Sequence, residues 1–139
     1  MSDTFDTKKH GAIVAIPFFK ANITTGAANE DLGLGGAGTV AIMPRAGSVV
    51  GISASCAAIT AGTITLTPHS QSTEIATTGV PQPVLSSAQD TNGTYATVRP
   101  GAITFAAGAA LGISVTSTTA LNPTNTLDID AVLFIQLNP

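Results

Sequence analysis

Two histidines, one cysteine and eight carboxylates carry most of the acid–base, nucleophilic and metal-binding chemistry open to this 139-residue chain. His10 and His69 stand far apart, and neither has a second ligand at the spacing a metal requires. His69 follows Pro68 and reads as a turn residue, and His10 follows Lys8-Lys9 and reads as an exposed one. Serine is plentiful, but there is no G-x-S-x-G elbow and nothing brings either histidine to a particular serine. Asp128 and Asp130 share one strand face, where like charges repel. A glycosidase needs two carboxylates facing each other across a cleft, and Glu74 with Asp90 is the only pair on separate segments that could supply them. The loop spacing of a calcium site is missing.

The lone Cys56 excludes an internal disulfide and a cysteine metal cluster, and its place in an apolar alternation suits an inert buried thiol. Gly33–Gly38 fits G-x-G-x-x-G, but TVAIMP follows it as a strand-like run, and no acidic residue stands where a ribose would need one. A flexible hinge accounts for these glycines better. The residues do not add up to an enzyme, and no cofactor is expected.

The composition turns attention from chemistry to contact. Only 9% of residues are charged, against about a quarter in an average chain. Hydrophobic residues make up 44% and aromatics 4%, so Ala, Val, Ile and Leu must fill the core while Ser and Thr cover much of the outside. Such an exterior repels its neighbours weakly and tends to associate. A net charge of −3 argues against a nucleic-acid partner. No charged start leads into a long apolar run, and no stretch is long enough to span a bilayer, so neither a signal peptide nor a membrane partner is expected.

The elements that would hold these residues have a period of two. In GSVVGISASC, Val50, Ile52, Ala54 and Cys56 share a face. In TITLT it is Ile64 and Leu66, and in LGISVTS it is Leu111, Ile113 and Val115. The last run aligns Leu127, Ile129, Ala131, Leu133, Ile135 and Leu137. Turn signals separate the runs, and no amphipathic helix is evident. The spacing predicts an all-β protein, an antiparallel β-sandwich with one buried face per sheet. On its other face the last strand carries Val132 and Phe134. Burial on both sides, a neighbouring subunit, or cover from the chain's own arm or a loop would each explain them.

Charge and aromatic content shift between Thr25 and Gly38, which divides the chain into an extended N-terminal arm, residues 1–30, and a domain, residues 31–139. Within the arm, Phe5, Lys8, Lys9, His10, Phe18 and Phe19 form a docking set of aromatic anchors around a small basic cluster. GAIVAIPFF, residues 11–19, is too apolar to stay in water. It should pair as an edge strand, on its own domain or on a partner.

Four segments carry a resemblance: MPRAGSVVGIS (43–53), AGTITLT (61–67), TYATV (94–98) and ITFAAGAALGISV (103–115). In this order they resemble the small jelly-roll domain of tailed-bacteriophage structural proteins, found in head decoration (cement) proteins and in fibre tips. The last segment also resembles the F-x-x-G-D strand of trimeric tumour-necrosis-factor-like jelly rolls, with Ala109 where an Asp is common. The resemblance implies a jelly-roll-like sandwich in a homotrimeric virion component. It would be a cement protein on the capsid exterior, with the chain itself and the major capsid protein as partners. The alternative is a receptor- or glycan-binding tip, for which Tyr95 with residues 90–92 is the one exposed cluster. AGSVVGISAS (46–55) and AGAALGISVT (107–116) share a frame, and each should begin a strand whose Ile points in and whose Ser points out.

Overall fold

The computed structural model describes residues 12–35, 38–70, 73–74, 82–87 and 93–139. In chain order its strands are β1 (Ile13–Ile23), β2 (Glu30–Asp31), β3 (Ala41–Ile42), β4 (Gly47–Cys56), β5 (Thr63–Ser70) and β6 (Thr73–Glu74). After them come β7 (Val84–Ser86), β8 (Gly93–Thr97), β9 (Thr104–Phe105), β10 (Ala110–Ser117) and β11 (Leu127–Leu137). No helix occurs among the described residues.

The strands form two antiparallel sheets packed into a β-sandwich. The first runs β1-β11-β4-β8, with β9 beside β4. The second is centred on β10 and β5, with β2 and β3 along the far side of β10 and β6 and β7 along the far side of β5. First and last strands lie side by side, and the order β1-β11-β4-β8 in one layer is matched by β2-β10-β5-β6 in the other. That is jelly-roll connectivity.

Between the layers, the inward faces of β1, β4 and β11 bring Ile16, Phe18, Ile52, Ile129 and Leu133 against Ile64, Leu66, Leu111, Ile113 and Val115 of β5 and β10. Almost all are β-branched or Leu, which suits a thin core between pleated surfaces.

His69 lies inside β5 and is buried instead of standing in a turn, and two further expectations need correction. The sandwich begins at β1 rather than at residue 31, because residues 13–23 pair along β11 from Ile13↔Gln136 to Ile23↔Leu127. Of the two ways to pair GAIVAIPFF, the described part takes its own domain, and alternation sends Ile16, Phe18 and Ile23 into the core. Phe18 is 2% exposed, so it belongs to the core and leaves the docking set. The second correction lies in β4. Phe134 pairs with Gly51 but Ile135 pairs with Val49, so Val50 is the extra residue of a β-bulge. The bulge reverses the phase, and Val49 is buried while Val50 is only half-buried.

The free margin of β1 is blunted. Phe19 exchanges both backbone hydrogen bonds with Gly33, at 2.8 Å each, on the side away from β11. By alternation the backbone of Pro17 faces the same side, and proline has no N–H to offer there.

Candidate functional site

The two outer faces of the sandwich differ in chemistry, and the difference locates the candidate site. On the second sheet, Thr67, Ser114 and Asp31 form one cross-strand row, and His69 lies opposite Gly112. His69 places Nε2 3.2 Å from Asp31 Oδ1, while off this face, between the sheets' edges, Lys20 Nζ of β1 lies 3.8 Å from Glu30 Oε2. Thr116 donates its hydroxyl to Asn29 Oδ1 at 3.1 Å and accepts the Asn29 N–H at 3.2 Å. At the end of β10, Ser117 accepts the Ala27 N–H and donates to the Thr24 carbonyl. This face is polar and bonds to itself.

The outer face of the first sheet is built from the alternate residues of β1, β11, β4 and β8. One row reads Pro17, Val132, Ser53, Tyr95, and the next Ala15, Phe134, Gly51, Thr97. A third reads Phe19, Asp130, Ser55, Gly93. Ile13, Ala15, Pro17 and Phe19 are exposed, Phe19 by 43%. Val132 and Phe134 are half-buried. The Phe134 ring lies over its cross-strand partner, with Cδ2 3.6 Å from where a Cβ on Gly51 would stand. Towards β8 the face sinks into a shallow concavity of about 400 Å³ lined by Ser53, Ser55, Tyr95, Asp130 and Val132 among others.

The docking set is therefore divided. Phe19 is on this face, Phe18 is in the core, and Phe5, Lys8, Lys9 and His10 lie outside the described residues. Val132 and Phe134 are neighbours of Phe19, Pro17 and Ala15 on one apolar surface. The cover that a loop or arm would give them is not made by any described segment. Sequence reasoning missed Ala15, Pro17 and Asp130 as parts of the face. The signal was present in IVAIPFF, which is apolar at every position, whereas an edge strand with a wet outer face alternates.

The remaining chemical candidates are scattered. Asp128, two residues before Asp130 on β11, accepts the Asn22 N–H at 3.0 Å and is not among the residues that line the concavity. Asp90 and the Glu74 side chain lie outside the described residues. Among those described, no three His, Cys, Asp or Glu side chains gather as a metal would require. Gly33 is bridged to β1, and among the described residues no helix follows it of the kind that holds a pyrophosphate. Cys56 is half-buried, and burial pushes its thiol pKa above the ordinary value.

Comparison with known proteins bears on the fold. No family model matches the chain, and no curated protein matches it in sequence. The chain is similar in fold to a chain of the acidic stable capsid structure of Helicobacter pylori bacteriophage KHP30. The TM-score is 0.50 at 16% identity, over 91% of this chain and 89% of that one.

Proposed function

We propose that this chain is a virion structural protein: a decoration (cement) protein that trimerises on the outer surface of a phage head and stabilises the capsid lattice through its N-terminal arm. The observation that carries this reading is the apolar outer face of the first sheet, which exposes Ile13, Ala15, Pro17 and Phe19 beside Val132 and Phe134. A fold shared with a chain of a bacteriophage capsid structure supports it.

Size argues for an arm as well as a face. Four strands at about 4.8 Å spacing, over seven residues at about 3.4 Å each, give a face on the order of 400 Å². A stable protein contact takes about 800 Å² from each partner. The face alone makes a weak contact, and residues 1–11, with Phe5 and the Lys8–His10 cluster, supply the remaining area. Weak contacts repeated on a lattice act through effective concentration, so a unit that barely associates in solution holds firmly on a capsid. None of this requires a catalytic residue.

The test is the copy number of the chain in purified virions relative to the major capsid protein, by quantitative mass spectrometry. A lattice component approaches the copy number of the capsid protein. A handful of copies per particle would sink the cement reading in favour of a fibre or tail tip, and absence from virions would remove both. Val132→Glu, which sets a charge in the middle of the face without touching the core, is expected to lower incorporation at least tenfold while the chain stays folded.

A further inference from the structure

The β8 half of the apolar face has a chemistry of its own, and we propose that it is a shallow binding subsite for a neutral hexopyranoside. Three observations converge there. Tyr95, the chain's single tyrosine, is 77% exposed on a margin strand, so its ring stands beside the concavity instead of packing into the sheet. Asp130 stands on the far side, one strand beyond Ser55 and two beyond Gly93. Among the described residues, no hydrogen bond or ion pair engages the side chains of Asp130, Ser53, Ser55 and Tyr95, whereas those of Asp31, Asn29 and Thr116 on the opposite face are all engaged.

A surface meant only to stay wet does not need an uncovered aromatic ring. A surface meant only for apolar packing would leave a carboxylate and two hydroxyls unsatisfied on closing, at a cost that cancels much of the gain. A sugar ring meets both halves of the site. Its C–H face stacks on the Tyr95 ring, and its rim of hydroxyls donates to the Asp130 carboxylate and exchanges hydrogen bonds with Ser53 and Ser55. No lysine or arginine lines the concavity, so Asp130 selects against acidic sugars and the ligand is neutral. The site is open and holds a single ring, which sets the affinity in the millimolar range. The inference does not depend on the cement reading, since a capsid protein and a fibre tip could each carry such a subsite.

The chain contains no tryptophan, so its intrinsic emission comes from Tyr95 alone. The full-length protein is titrated with methyl β-D-galactopyranoside and methyl β-D-glucopyranoside, with glycerol and N-acetylneuraminic acid as controls. A saturable change in emission with at least one of the two glycosides, and with neither control, is expected. Asp130→Asn should weaken that binding about tenfold and Ser53→Ala about threefold, both in variants that keep the fluorophore. Saturation-transfer NMR then reads Tyr95→Phe, which keeps binding, and Tyr95→Ala, which loses it.

A linear response that glycerol reproduces overturns the proposal, as does full affinity in Asp130→Asn. So does emission per molecule that changes with protein concentration and ignores sugar, which would mean that a second copy covers Tyr95. Virion copy number is a separate measurement, so the failure of either proposal leaves the other standing.

Discussion

At the scale of single residues, the doubled frame has a physical account that its letters did not reveal. In each copy the glycine of G-I-S lies beneath a ring from the neighbouring strand: Phe134 over Gly51 and His69 over Gly112. The isoleucine that follows enters the core and the serine faces outward, so the inward and outward assignments of the two segments hold. The ring contacts could not be read from the sequence, because they depend on register between strands more than 40 residues apart. The two sites differ in tightness. A Cβ at Gly112 would stand 2.7 Å from His69 Cε1 and 2.9 Å from the Thr39 carbonyl oxygen, while one at Gly51 would meet the Ala96 carbonyl oxygen at 3.3 Å. Gly112→Ala is expected to cost about 1–3 kcal/mol in urea unfolding, and Gly51→Ala under about 1 kcal/mol. Equal losses would contradict this packing. Cys56 gives a second prediction. Because burial raises its pKa, less thiolate is present at pH 8 than in the unfolded chain, and iodoacetamide should label the native protein more slowly than protein in urea. The sign for stability follows: the neutral thiol's contribution is complete below the unfolded pKa and is lost as pH rises through the higher folded value.

At the scale of elements, strand β1 shows best where sequence reasoning succeeded and where it stopped. The apolar content of GAIVAIPFF identified a strand that must pair, and it pairs as an edge strand. The charge shift near residue 30 suggested a boundary that the sheet does not respect, because Lys20 on β1 and Glu30 and Asp31 on β2 belong to the sandwich. Adjacent phenylalanines on β1 test the assignment of faces. Phe18→Ala should cost about 3–5 kcal/mol, as expected for a large buried ring. Phe19→Ala should change folding stability by less than about 1 kcal/mol and instead reduce incorporation into particles. The reverse order would mean that the faces of β1 are exchanged. Period two was legible in β4, β5, β10 and β11, each eight or more residues long. The two- and three-residue strands β2, β3, β6, β7 and β9 are too short to show any period, and they exist because a neighbour offers a ladder. The bulge at Val50 was likewise invisible, since one inserted residue leaves the composition of a run unchanged.

At the scale of the whole molecule, the all-β class followed from alternation, turn residues and the scarcity of charge, and the sandwich was legible on those grounds. The division of labour between its outer faces was not. Both faces are made largely of small residues and hydroxyls, and only cross-strand pairing separates Thr67, Ser114 and Asp31 from Pro17, Val132 and Phe134. Pro17 adds a property that belongs to populations of molecules. Because its ring occupies the open margin of β1 and Phe19 beside it is already bonded to Gly33, no strand can zip along that margin from end to end. A chain with so little charge is exposed to edge-to-edge ribbon growth at high concentration. On the first sheet, one sealed margin leaves only the β8 side open, so ribbon growth through that sheet stops at a pair.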